Sequence, residues 1–227
     1  MGALVLFDID GTLVRRAGPH HRQALEDACF QITGRRASTD AIPVQGMLDG
    51  EILRQMLRGA GLSGAATRAA LPAIMRRAQY LYSRSCPDIR DKVCPGVGEA
   101  LRALDGGGAV LALVTGNLSR IGWKKMDRAG LKRYFRFGVF AEQGRTRGAL
   151  ARQAVRQARA QRWIGREARI TLIGDHPNDI AAARQAGIRS VAVATGVVPY
   201  DELVAHRPDQ LVQDLTSLDL SWLYDHS

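Results

Sequence analysis

Short apolar runs separated by stretches of helical spacing set the pattern of this 227-residue chain. The first run, residues 4–7, is apolar at every position, which is typical of a parallel strand buried on both faces. From residue 95 onwards, further short apolar runs alternate with helical stretches. This alternation predicts a parallel sheet with helices on both faces. The later strands are predicted at residues 109–115, 137–141, 169–174, 190–194 and 210–212, and the helices between them at residues 97–104, 118–129, 149–161 and 178–186.

The tract between the first strand and residue 91 has a different pattern. Three stretches with apolar residues at helical spacing follow one another there, and Gly34 and Gly61 end the first two. No strand-like run interrupts them, so the tract predicts a small helical bundle inserted into the α/β fold. We therefore predict a core domain of residues 1–14 and 92–227, and a helical domain of residues 15–91.

Composition favours a globular protein without a membrane partner. The chain is 46% hydrophobic and 24% charged, which is ordinary for such proteins. No apolar run approaches the length that a bilayer requires. The three cysteines have no C-x-x-C spacing, so they predict reduced thiols in the cytoplasm rather than a disulfide framework or a zinc site.

The net charge of +10 comes mostly from arginine and could favour an anionic partner. However, the arginines are spread over many helical stretches and aromatic residues are few. We therefore expect solvated helix faces rather than a nucleic-acid groove. The pattern leaves both a monomer and a homodimer open.

Two aspartates mark the end of the first predicted strand. Asp8 and Asp10 are two residues apart, so on a strand their side chains point the same way. Neighbouring carboxylates repel each other unless a cation is near or one of them takes a proton. The pair therefore suits a divalent metal together with a nucleophile and a proton carrier. The plainer alternative is a turn made by Asp10 and Gly11.

Two further strand ends carry polar residues. Thr115, Gly116 and Asn117 stand where a strand meets a helix, a place suited either to a phosphate or to a simple helix cap. Asp175 ends a later strand, and Asp179 falls in the first turn of the next helix. They could be no more than a cap and a favourable N-terminal acid. They could also add the oxygen ligands that Mg²⁺ prefers.

Taken together, the three motifs resemble the haloacid dehalogenase superfamily, in its phosphatase branch and its phosphoglycolate phosphatase-like members. The motifs come in the family's order, and each lies at a predicted strand end. The resemblance covers nearly the whole chain. It implies a Rossmann-like, doubly wound parallel sheet as the core, and the helical insert resembles that family's C1-type cap domain.

The resemblance also implies roles for the motif residues. Asp8 would be the nucleophile that carries an aspartyl phosphate, and Asp10 would protonate the leaving alkoxide and then activate water. Mg²⁺ would be held by the Asp8 carboxylate, the Asp10 backbone carbonyl and Asp175, with Asp179 in support. The implied phosphate-binding residues are Gly11, Thr115, Gly116 and Asn117.

The family usually has a lysine ahead of the helix that precedes the Gly-Asp strand, and residues 143–147 contain none. Arg145 aligns best by its spacing to the helix, and Arg147 is the alternative. Either arginine could neutralise the phosphate and Asp8, although a guanidinium is bulkier and forked. Both could instead be solvated like the other arginines of the chain.

The predicted cap carries two further features of interest. Residues 46–50 resemble a loop that faces the active site in relatives, but Leu48 stands where a small polar residue is usual. The loop therefore does not predict the substrate. His20 and His21 lie just after the first hinge, where a histidine could touch the substrate, but we expect both to be exposed near a helix start.

The sequence thus predicts a Mg²⁺-dependent phosphatase for a small metabolite, with phosphoglycolate or a sugar phosphate as the expected substrate. A phosphomutase of the same fold is one alternative. A haloacid dehalogenase is another, but it would lack the second aspartate, so Asp10 argues against it. A non-catalytic binding protein would be expected to have lost one of the aspartates, and all are present.

Overall fold

The computed structural model describes residues 2–15 and 18–224 and has the predicted α/β architecture. Six strands form one sheet in the order β3-β2-β1-β4-β5-β6, and every neighbouring pair is parallel. This confirms the doubly wound parallel core. The strands are β1 (Ala3–Phe7), β2 (Val110–Val114), β3 (Phe137–Val139), β4 (Arg169–Gly174), β5 (Arg189–Val193) and β6 (Gln210–Val212).

Strand β1 lies at the centre of the sheet because its residues are apolar on both faces. Val5 and Phe7 pack into one hydrophobic cluster, and Leu4 and Leu6 pack into a second on the opposite face. Helices of the core cover both clusters, as a buried parallel sheet requires. These helices are α4 (Val97–Gly106) and α5 (Ser119–Arg128) on the first face, and α6 (Arg147–Ala160) and α7 (Pro177–Ala186) on the second, with α8 (Tyr200–Ala205) next to β6.

Three helices form the predicted insert between β1 and α4. They are α1 (His20–Thr33), α2 (Asp49–Gly59) and α3 (Gly64–Ser85). Their apolar faces form one cluster that also takes in Leu118 and Ile121 from the start of α5. The helical insert therefore packs against the core at the carboxyl edge of the sheet. The exact bounds of the two domains stay a prediction, and residues 16 and 17 of the predicted cap lie outside the described residues.

The two segments that join the insert to the core run side by side. Val14 and Val93 form an antiparallel bridge, and the backbone N–H of Arg15 donates to Lys92 O at 2.8 Å. The backbone N–H of Cys94 donates to Leu13 O at 3.0 Å. The chain thus enters and leaves the insert through one paired hinge.

Several element ends differ from the predicted ones by a few residues, and two of these differences have an identifiable reason. Strand β3 stops at Val139, because the Phe140 N–H donates to Gln143 Oε1 at 2.9 Å and turns the chain into a short 3₁₀ segment. Helix α6 starts two residues earlier than predicted, at Arg147, because Thr146 Oγ1 accepts from Ala149 N and caps it. Within residues 2–15 and 18–224, no helix combines the length and apolar character needed to cross a bilayer.

Candidate active site

Three predicted acids come together at the carboxyl edge of the sheet. Asp8 directly follows β1, and its N–H still pairs with Ile173 O of β4 at 3.0 Å. Asp175 follows β4, and Asp179 lies in the first turn of α7. One carboxylate oxygen from each of the three acids lies within 4.8 Å of the other two, and all three residues are buried. Three buried acids this close can stay ionised together only beside positive charge.

The start of α7 fixes Asp179 in this cluster. His176 is the N-cap residue and Pro177 takes a first-turn position where its missing N–H costs nothing. The His176 N–H donates to Asp179 Oδ2 at 3.2 Å, and Asn178 N donates to His176 Nδ1 at 3.2 Å. Asp179 therefore caps its own helix with one oxygen and turns the other, Oδ1, towards the cluster.

Arg147 supplies the positive charge inside the described part of the cluster. Its Nη1 lies 2.8 Å from Asp8 Oδ1 and 3.0 Å from Asp179 Oδ1, and the residue is only 6% exposed. Burial alone would lower the pKa of Arg147, but Asp179 and Asp8 raise it above its ordinary value. Arg145, which the spacing favoured, is exposed two residues away. The structure therefore places Arg147, the alternative of the two, beside Asp8 and Asp179 and leaves Arg145 outside the cluster.

The single guanidinium does not balance the three acids. Burial, with the nearby charges of Asp8 and Asp179, raises the pKa of Asp175 to about 8. Burial also raises the pKa of Asp179 to about 7, against the lowering effect of Arg147. In addition, Asp8 Oδ1 and Asp179 Oδ1 are both buried and share one cationic atom, Arg147 Nη1. The cluster therefore has three carboxylates against one guanidinium, and a divalent cation would supply the missing positive charge.

Asp10 does not join this cluster through its carboxylate. Its side chain is 38% exposed and is held by Lys125, whose Nζ lies 2.7 and 2.6 Å from the two carboxylate oxygens. Asn117 Nδ2 donates to Asp10 Oδ2 at 2.8 Å. Burial would raise the pKa of Asp10, but Lys125, His21 and Asn117 together bring it below its ordinary value. Asp8 and Asp10 are therefore placed in different electrostatic surroundings.

The remaining predicted phosphate-binding residues lie beside these groups. Thr115 is fully buried, and its Oγ1 accepts from Asn117 N at 3.3 Å and from Asn117 Nδ2 at 2.8 Å. Gly11 has a φ of 86°, and a Cβ there would overlap the Asp175 carboxylate. Only glycine allows the backbone after Asp10 to pass so close to Asp175.

The insert contacts the same edge of the sheet through Asp49, the first residue of α2. The Asp49 N–H donates to Gly116 O at 2.8 Å, and Asp49 Oδ2 accepts from Leu118 N at 2.8 Å. A Cβ on Gly116 would overlap Met47 O, so the bare backbone at this position permits the contact. Asp49, on the insert, thereby caps the N-terminus of α5 in the core.

From the sequence, Lys125 was missed, Asp49 was noted only as part of the loop 46–50, and His21 was misjudged. The expectation that His21 is an exposed helix-start residue is wrong, because its Nε2 lies 3.0 Å from Asp49 Oδ2 and its Nδ1 3.2 Å from Lys125 Nζ. One signal for Lys125 was present. It falls on the buried stripe of α5 with Ile121 and Gly122, where a lysine needs a partner.

Comparisons with known proteins show what the chain is similar to. A model of the haloacid dehalogenase-like hydrolase family matches residues 3–187. The chain is 30% identical over 200 residues to a phosphoglycolate phosphatase of Caulobacter vibrioides, covering 86% of this chain and 80% of the relative. It is 27% identical over 226 residues to a phosphoglycolate phosphatase of Agrobacterium fabrum, covering 96% of this chain and 91% of the relative.

A solved structure shows the same fold. The β-phosphoglucomutase of Clostridium difficile superposes with a TM-score of 0.70 at 16% identity, covering 98% of this chain and 96% of that one. The family and relative matches confirm the resemblance inferred from the motifs. They also confirm the predicted enzyme class, a phosphoric monoester hydrolase.

Proposed function

Because the chain belongs to the haloacid dehalogenase-like hydrolase family, we propose that it is a Mg²⁺-dependent phosphatase that works through an aspartyl phosphate. The observation that carries this proposal is the buried cluster of Asp8, Asp175 and Asp179 around Arg147. A dianionic phosphoryl group needs surrounding positive charge, and catalysis of its transfer rests mainly on that charge.

In this mechanism Asp8 attacks phosphorus, so a bond forms from its carboxylate oxygen as the ester oxygen leaves. Asp10 gives its proton to the leaving alkoxide and later takes one from the water that cleaves the aspartyl phosphate. The lowered pKa of Asp10 favours the carboxylate form that the second step needs. An anionic substrate beside Asp10 raises its pKa and so favours the protonated form that the first step needs.

The metal fits the residues that are present. Asp8, Asp175 and the backbone carbonyl of Asp10 would hold Mg²⁺, with Asp179 in support. When bound, the ion would neutralise charge on the phosphoryl oxygens and on the clustered carboxylates. Arg147 stays beside Asp8 as a fixed cation of the chain itself, and Thr115 and the amide of Asn117 would bind the remaining phosphoryl oxygens.

The proposed substrate is a small phosphomonoester, and phosphoglycolate and sugar phosphates are the favoured candidates. The relatives named above are phosphoglycolate phosphatases. The helical insert would act as a cap, because Asp49 at the start of α2 already contacts Gly116 and Leu118 beside the catalytic groups. A covered site of this kind suits a small metabolite rather than a protein substrate. We also propose the cytoplasm as its location, since Cys29, Cys86 and Cys94 are buried free thiols.

Hydrolysis by the wild-type protein tests the proposal directly. We expect release of phosphate from 2-phosphoglycolate and from 4-nitrophenyl phosphate with Mg²⁺, and loss of that release when EDTA removes the metal. Sugar phosphates are assayed beside them for both free phosphate and isomerised product. Isomerised product without free phosphate would favour the phosphomutase alternative. A folded protein with Mg²⁺ that acts on none of these esters would overturn the proposal.

Metal binding also has a signature in stability. Without metal, Asp175 and Asp179 have pKa values of about 8 and about 7, whereas the pKa of a carboxyl group in the unfolded chain is about 4. Between these values the folded state binds more protons than the unfolded state, so the free energy of unfolding falls as the pH rises. Mg²⁺ competes with these protons, so it should raise Tm more at about pH 8 than at about pH 5.

Thermal melts at both pH values, with and without saturating Mg²⁺, measure this effect. Ligand at about 100 times its Kd adds about 2.7 kcal/mol, which corresponds to a rise in Tm of about 5 °C or more for a protein of this size. Asp175→Asn is the control variant and should lose most of the rise. An equal rise in Tm on adding Mg²⁺ at both pH values would argue against metal binding by these carboxylates.

A further inference from the structure

Lys125 is the one lysine in the described part of the chain that is buried, with 2% of its side chain exposed. Four acceptor atoms surround its ammonium group. Nζ lies 2.7 and 2.6 Å from the two oxygens of Asp10, 2.7 Å from Asn117 Oδ1 and 3.2 Å from His21 Nδ1. The ring of Tyr82 is also near, with its centroid 6.0 Å away. A buried ammonium costs several kcal/mol unless its donors are used, and here all three N–H bonds have acceptors.

We propose that Lys125 is a positioning residue that aims the Asp10 carboxylate at the leaving group of the substrate. The proposal rests on the proposed function, in which Asp10 protonates that group. A carboxylate 38% exposed at the end of a strand is free to turn about its side-chain bonds. Two contacts from Lys125 and one from Asn117 hold both of its oxygens in place. Proton transfer needs a fixed geometry, so this hold contributes directly to the acid step.

The hold on Asp10 also depends on the insert. His21 comes from α1, and with its Nδ1 accepting from Lys125, its Nε2–H donates to Asp49 Oδ2 at 3.0 Å. The other contact of Asp49 Oδ2 is the backbone N–H of Leu118, 2.8 Å away. Lys125 is therefore held from the insert as well as from the core. Docking of the insert completes the support of Asp10, and opening removes one side of it.

A leaving-group comparison tests this role. Phenyl phosphate and 4-nitrophenyl phosphate have nearly the same shape, but phenolate is much more basic than 4-nitrophenolate and depends more on protonation. The comparison uses kcat/KM, which includes the step that breaks the ester bond. Breakdown of the aspartyl phosphate comes later and is common to both esters.

Lys125→Met should lower kcat/KM for phenyl phosphate by about 100-fold, and for 4-nitrophenyl phosphate by less than about tenfold. His21→Leu keeps the lysine. It should lower the ratio of kcat/KM for phenyl phosphate to kcat/KM for 4-nitrophenyl phosphate, as Lys125→Met does, but by a smaller factor. Lys124→Met is the matched control, because Lys124 is the neighbouring, half-buried lysine and pairs with Asp127 at 3.6 Å rather than with Asp10, so its ratio of the two kcat/KM values should equal that of the wild type. Thermal melts check that each variant folds.

The outcomes separate this inference from the proposed function. If the wild type hydrolyses both esters and Lys125→Met lowers the two kcat/KM values by the same factor, Lys125 is structural only and the inference is wrong, while the phosphatase stands. If Lys125→Met does not fold, an unchanged ratio in His21→Leu overturns the inference instead. If the wild type hydrolyses neither ester nor any other tested, the proposed function fails, and the inference fails with it.

Discussion

Asp8→Asn is expected to abolish turnover, lowering kcat/KM for 4-nitrophenyl phosphate by about 10⁴-fold or more. Asparagine keeps the size of the side chain but cannot form the aspartyl phosphate, so the covalent route is lost. The substitution also removes one of three buried carboxylates that repel one another, and we therefore expect the variant to fold. Continuous release of 4-nitrophenolate at saturating Mg²⁺ measures the loss.

The control for this experiment is Asp105→Asn. Asp105 is exposed near the end of α4, at the amino edge of the sheet and away from the site. Its substitution should leave kcat/KM within about twofold of the wild type. Asp8→Asn protein that kept more than about a tenth of the wild-type rate would show that Asp8 is not the nucleophile.

Arg147→Met should have the second large effect, on both stability and activity. Removing one partner of a buried ion pair costs about 3–5 kcal/mol, because the other charges stay buried and unpaired. Here Asp8 and Asp179 would lose their shared cation. The loss of fixed positive charge beside the phosphoryl group should also lower kcat/KM by about 100-fold or more.

Arg145→Met is the matched comparison, since it removes the same charge two residues away at an exposed position. We expect its Tm and kcat/KM to stay close to those of the wild type. Denaturant unfolding and ester hydrolysis of both variants decide between the two arginines. A larger loss in Arg145→Met than in Arg147→Met would reverse the assignment made from the geometry.

The parts of the site that the sequence predicted are those that follow from strand order. Asp8, Thr115 and Asp175 each come directly after an apolar run, and parallel strands bring such ends to one edge. The choice between Arg145 and Arg147 needed the start of α6. Thr146 is a good N-cap residue and would have placed Arg147 at the first helical position, but spacing to the helix favoured Arg145.

The contacts made by Lys125 could not be predicted in the same way. They depend on how α5 is rotated against the sheet and on where the insert packs. A buried stripe on α5 indicates that Lys125 faces inward, but not that it reaches Asp10, which is 115 positions away in the chain. The contact of Asp49 with Leu118 likewise joins two parts of the chain, 69 positions apart, that no local pattern relates.

The paired hinge lowers the binding free energy that the insert needs in order to stay docked on the core. Val14 and Val93 are bridged, and two covalent connections join the insert to the core. The start of α2 therefore meets its docking site on the core at a high effective local concentration. Tethered contacts of this kind do not pay the entropy cost of bringing two free molecules together. The hydrogen bonds of Asp49 and the apolar contacts of Leu118 and Ile121 then favour docking, and in the proposed function they would break each time a substrate enters or a product leaves.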